Sequence, residues 1–146
     1  MITTDYQTTV ADRGTPFYDG RPCISTPEAA VQVLQPWARK TREHFLVACL
    51  DGRRKLIGKV FVCSIGTLNS TLVHPREVFR EAIKRGSASI IVSHNHPSGD
   101  SSASDEDLAL TRRLRDAGRL LGIELADHII IASGGYVSLR ATGHLY

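Results

Sequence analysis

His94, His96 and Asp107 are the residues of this sequence best suited to chemistry, and they fall within one stretch, SHNHPSGDSSASDED, from Ser93 to Asp107. Two imidazoles and one carboxylate make a zinc-ligand set that leaves one tetrahedral position open. A water held there loses its proton near neutral pH, its pKa falling from about 15.7 to roughly 7. The chemistry expected of such a set is hydrolysis by an activated water.

The spacing lets the three side chains converge. His94 and His96 are two apart at the end of an extended run, so alternation puts both rings on one face and Asn95 on the other. Pro97-Ser98-Gly99 turns the chain. Ser104 opens a helix, and Asp107 lies in its first turn on the same side. Each piece alone has a plainer explanation. Histidines at a strand end are usually surface residues, and Ser-x-x-Asp is a capping box whose acids (Asp105, Glu106, Asp107) suit the positive end of a helix. The combination is what argues for metal. Four specified residues at fixed spacing arise by chance on the order of once in a million starting positions at ordinary residue usage. Cap and ligand roles are also compatible, because the cap fixes the turn that presents Asp107.

The elements that must position these residues follow from the local sequence. Thr26-Pro27-Glu28 starts a helix with a capping hydroxyl and a proline at the first helical position, sending Ala30, Val31 and Leu34 inward until Pro36. HFLVACL (44–50) reads as a buried strand, Asp51-Gly52 as a hairpin turn, and 55–63 as the returning strand. Gly66 and Asn69 mark a loop, with a short extended piece near 71–73. A second helix is expected over 75–85, with Val78, Phe79, Ala82 and Ile83 on its apolar face and Gly86 ending it. A strand at 88–93 precedes the histidines, and 94–103 reads as a turn-rich loop. A third helix over 104–121 faces the core with Leu110, Leu114, Ala117 and Leu121. Strands at 123–132 and 136–139 close the pattern. Helices interleaved with strands predict an α/β fold, a mixed sheet covered by helices.

Composition sets outer bounds. A chain of 146 residues, 42% hydrophobic, is the size and make-up of one globular domain. Residues 1–22 show no hydrophobic period and read as a flexible N-terminal arm, leaving 23–146 as the domain. The N-terminus is polar and no apolar run approaches a bilayer span, so the expectation is a cytoplasmic chain that does not engage membranes. Cys23, Cys49 and Cys63 are odd in number and form no Cys-x-x-Cys pair, which argues against disulfides and cysteine zinc clusters. The net charge of +3 is too small to argue for nucleic acid by itself. A local basic cluster (Arg39, Lys40, Arg42, then Arg53, Arg54, Lys55, Lys59) is either a solvated face or an anionic contact surface. The His-x-Glu and Pro-Cys-x-x-Cys motifs of zinc deaminases are absent. His128 beside Asp127 is read either as a pair supporting the metal ligands from behind or, the preferred reading, as a buried structural pair.

His-x-His-Pro, then Ser-x-x-Asp beginning at Ser104, resembles the signature of the JAMM (MPN+) metalloproteases. The segments REHFLVACL, GTLNSTLVHPREVFRE, SHNHPSGD and DHIII are similar to the bacterial RadC branch of that family, and the likeness runs from about Arg42 to Leu139. The resemblance implies a cytidine-deaminase-like JAMM/MPN fold, with zinc on His94, His96 and Asp107. It implies Glu43 as general acid/base, a residue that nothing in the sequence alone singles out, and Ser104 beside the reacting oxygen. It implies peptide or isopeptide hydrolysis on a peptide or protein-conjugate substrate. The alternative is a DNA-repair-associated accessory or DNA-binding module in which zinc is structural or vestigial. Two departures stand out: the chain looks like a short form lacking a helix–hairpin–helix region, and Ala103 stands where the family usually has proline.

Overall fold

The computed structural model describes residues 19–66 and 73–145. The elements run α1 (Pro27–Leu34), a 3-10 turn (Gln35–Trp37), β1 (His44–Leu50), β2 (Phe61–Ile65), α2 (Pro75–Lys84), β3 (Ser89–Asn95), α3 (Asp105–Leu121), β4 (Glu124–Ala132) and β5 (Gly135–Ser138). They form a five-stranded sheet in the order β2-β1-β3-β4-β5. Only β3 and β4 are parallel; every other neighbouring pair is antiparallel. The fold is the expected α/β arrangement, a mixed sheet covered by helices, consistent with a JAB/MPN domain.

Both faces of the sheet are covered, so the central strands are apolar on both sides. Phe45, Val47 and Cys49 of β1 join Ile90 and Val92 of β3 under Val78, Phe79 and Ala82 of α2 and Leu110 and Leu114 of α3. On the other face Leu46, Ala48 and Leu50 pack with Ile91, Ile129 and Ile131 beneath Ala30 and Leu34 of α1. Thr26 caps α1 through its side chain, as expected. No helix among the described residues is long and apolar enough to cross a membrane.

Several expectations need correction. The strand predicted for 55–63 begins only at Phe61; residues 55 and 56 make isolated bridges to Cys23 and Leu50. Gly58 takes a positive φ of 68°. Arg85 Nη1 then donates to the carbonyls of Ile57 and Lys59, at 3.0 and 2.8 Å, which would otherwise be free for a ladder. Ile83 and Leu121, predicted to face the core, are 55% and 47% exposed, because no element among the described residues packs over the flank that they share. The strand predicted to stop at Ser93 continues through Asn95, since β1 and β4 offer it partners on both sides. The expected extended piece at 71–73 falls mostly outside the described residues, as does the expected arm up to residue 18. Asp19 is buried and holds Arg21 and Lys55. Burial alone would raise its pKa, but the bonds from Arg21 and Lys55 outweigh that and keep the carboxyl well below the usual range.

Candidate metal centre

β3 ends in the centre of the sheet, and its last residues point to opposite faces. His94 is fully buried on the α3 side. His96 lies one residue past the strand, held beside β4 by its N–H to Ile131 O at 2.8 Å. α3 starts above them. Ser104 is its cap: Oγ accepts from Asp107 N at 3.1 Å, and an Asp107 carboxylate oxygen accepts from Ser104 N at 2.9 Å. This reciprocal box holds the first turn so that the carboxylate faces the histidines.

The three side chains meet. His94 Nε2 lies 3.1 Å from Asp107 Oδ1, His96 Nε2 lies 3.4 Å from Oδ2, and the two Nε2 atoms are 2.9 Å apart. Among the described residues this is the one group of histidines, cysteines and carboxylates able to hold a metal ion. The donor chemistry fits zinc. His96 Nδ1 lies 2.8 Å from the carbonyl of Asp100, which can only accept, so Nδ1 carries the proton and Nε2 presents a lone pair. His94 Nδ1 is engaged by His128, so Nε2 is again the nitrogen that faces Asp107. Atoms about 2.0–2.2 Å from a shared tetrahedral ion lie roughly 3.3–3.6 Å apart, close to the 2.9–3.4 Å spacings here.

The electrostatics suit a cation. The bond to Asp107 raises the pKa of His96 above its ordinary value, against the effect of burial, with the backbone of Asp100 and the charges of Asp107 and Glu43 adding to the rise. For Asp107, burial works toward a higher pKa but the bonds from His94 and His96 prevail, so it stays ionised. A site that holds a carboxylate and draws protons onto an imidazole is one where a metal can replace the proton.

Glu43 immediately precedes β1, half-buried, and its charge reaches His96. Its backbone is fastened from both sides. Gly66 N donates to Glu43 O at 2.8 Å. Asn95, fully buried between the two histidines, accepts from His44 N at 2.7 Å and donates to Lys40 O and Arg42 O at 3.3 and 3.0 Å. One amide thus ties the ligand strand to the segment that carries Glu43. Sequence alternation places Asn95 opposite the histidines, but it cannot show what lies there.

The expected His128–Asp127 pair is not formed through the ring. Asp127 accepts from His128 N, Arg140 N and Ser138 Oγ, a structural corner. The His128 ring instead lies between His94 Nδ1 (2.9 Å) and Thr111 Oγ1 (2.6 Å). Burial pushes its pKa well below 6.5, so it is neutral. The only sequence signal for this was Thr111 standing one helical turn beyond Asp107. The cysteines are free thiols, and burial pushes Cys63 up to about 11, away from the reactive thiolate. Of the basic cluster, Lys55 is paired with the buried Asp19, and Arg54 lies 3.5 Å from Glu124 at the surface.

A mixed sheet whose central strand ends in two histidines, met by an aspartate from a capped helix, defines a JAB-type domain with a candidate metal triad. Residues 24–144 match the family model described as RadC-like JAB domain, and the chain belongs to that family. It is 48% identical over 126 residues to a UPF0758 protein of Desulfitobacterium hafniense, covering 86% of this chain and 55% of the relative. A Shouchella clausii UPF0758 protein is 49% identical over 124 residues (84% and 54%), and one from Clostridium kluyveri 50% over 129 residues (87% and 55%). The chain therefore spans about half the length of the curated relatives it matches.

Proposed function

We propose that this domain is a zinc-dependent metallohydrolase that cleaves peptide or isopeptide bonds with an activated water. The observation that carries this proposal is the convergence of two imidazole Nε2 atoms and an ionised carboxylate, with the charge of Glu43 close enough to act on His96. Zinc held by His94, His96 and Asp107 would supply Lewis-acid polarisation of a carbonyl and acidification of a water. Glu43 takes the proton that the water gives up and returns it to the leaving amine as the C–N bond breaks. The bond from Asp107 N occupies a lone pair of Ser104 Oγ, which leaves the hydroxyl proton to donate to the oxygen that becomes negative.

The test pairs metal content with activity. Elemental analysis is expected to find about one zinc per chain, lost in His96→Ala and Asp107→Ala. Glu43→Gln should keep the zinc and lose about 10²–10⁴-fold in cleavage of a panel of peptide and lysine-isopeptide fluorogenic substrates. Cleavage that is unchanged in both Glu43→Gln and His96→Ala, or a native chain that takes up no zinc, would sink the proposal.

A further inference from the structure

His128 and Thr111 lie behind the candidate metal centre, both fully buried, and neither has a part in the reaction proposed above. The direction of each of their hydrogen bonds can be fixed. Thr111 Oγ1 lies 2.7 Å from the carbonyl of Asp107. A carbonyl only accepts, so the threonine gives its single proton there. Its oxygen must then accept from His128 Nδ1, 2.6 Å away, which places a proton on Nδ1, and a ring with no exposed surface does not keep a second, charging proton. His128 Nε2 is left bare. It lies 2.9 Å from His94 Nδ1, which therefore donates to it. The remaining nitrogen of His94, Nε2, faces Asp107 Oδ1.

The bonds form a chain. Starting from the Asp107 carbonyl, it runs through Thr111 and His128 to His94, whose bare Nε2 then faces the Asp107 carboxylate. Its members come from β3, α3 and β4, so it also fastens the two ligand-bearing elements to a third.

From this geometry we infer that Thr111 and His128 are positioning residues of the metal centre: together they set the tautomer of His94 that frees Nε2 for the ion, and they lock its ring to the helix that brings Asp107. His96 is set separately, by the carbonyl of Asp100. The inference rests on the metal-centre part of the proposed function and not on the reaction assigned to it. Threonine is suited to this place because its hydroxyl both donates and accepts. A valine of similar shape would leave the His128 Nδ1 proton without an acceptor and favour the opposite tautomer, with a proton on Nε2 directed at His94.

Zinc affinity, measured by competition with a chromophoric chelator, tests this without any substrate. Thr111→Val is expected to lose about 10–100-fold in affinity, the usual effect of removing a residue that orients a ligand. Thr111→Ser, which keeps the hydroxyl and drops the methyl, should restore it. A role in packing alone gives the reverse order, with valine tolerated and serine weakened. Imidazole ¹⁵N shifts of the unaltered protein provide a second measurement that does not depend on a variant folding: His128 is expected as the Nδ1–H tautomer. Wild-type zinc affinity in a folded Thr111→Val, or an Nε2–H tautomer at His128, overturns the inference alone. A native chain that binds no zinc overturns the metal centre and this role with it.

Discussion

Replacing Asn95 with alanine removes three hydrogen bonds at once, and their surroundings set the cost. His44 N loses a 2.7 Å acceptor at the head of the buried β1, whereas the carbonyls of Lys40 and Arg42 belong to exposed residues that water can reach. An orphaned buried donor costs about 1–3 kcal/mol, and each rehydrated carbonyl forgoes about 0.5–1 kcal/mol of net bonding. The total is about 2–5 kcal/mol. For a domain of this size that corresponds to a fall of roughly 5–15 °C in melting temperature. Chemical denaturation monitored by circular dichroism measures the free energy directly. Asn95→Asp sharpens the test because volume and shape hardly change. The introduced carboxylate can still accept from His44 N, but it turns an acceptor toward two carbonyls and buries a charge. It should therefore be less stable than Asn95→Ala, although it is nearly isosteric with the original. If Asn95→Ala lay within about 0.5 kcal/mol of the wild type, the range of a neutral surface change, the amide would not be fastening the Glu43 segment.

Two further outcomes are expected. His96 has a raised pKa in the folded, metal-free protein, so its pairing with Asp107 stabilises fully below the ordinary value of 6.5 and is lost as pH rises through the folded value. Zinc needs the deprotonated ring, so the rise in melting temperature on adding zinc should grow with pH, and a pH-independent rise would contradict the pairing. Gly118 lies inside α3, where alanine normally gains about 1 kcal/mol over glycine. Here an added Cβ would sit 2.3 Å from Ile123 O and 3.2 Å from the Phe79 ring, so Gly118→Ala should instead lose about 1–3 kcal/mol in urea unfolding.

Those parts of the centre that obey local rules were legible in the sequence. Two histidines at a strand end and an aspartate in a capped first turn follow from periods of two and 3.6 within a single stretch. Parts that depend on which strands are neighbours were not. Glu43 comes within electrostatic range of His96 because β1 pairs with β3, and only the family resemblance pointed to it. His128 turns away from its sequence neighbour Asp127 because β4 runs parallel beside β3 and sets Val92 opposite it. The late start of β2 has the same origin: an arginine on another element takes the carbonyls that a hairpin would have used. Ile83 and Leu121 satisfied the helical period, but periodicity cannot say that no element among the described residues covers the flank they share.

The order in which the chain leaves the ribosome gives the Asn95–His44 bond a further meaning. It joins residues 51 apart, and β4, which flanks the histidines on the other side, is made after the last ligand, Asp107. An unfolded or half-synthesised chain would offer zinc His94, His96 and Asp107 without the strand end and capped turn that hold them together. A metal taken up at the proposed site would then bind most firmly to chains whose slow, long-range strand pairings are already made, and would stabilise those chains above the rest.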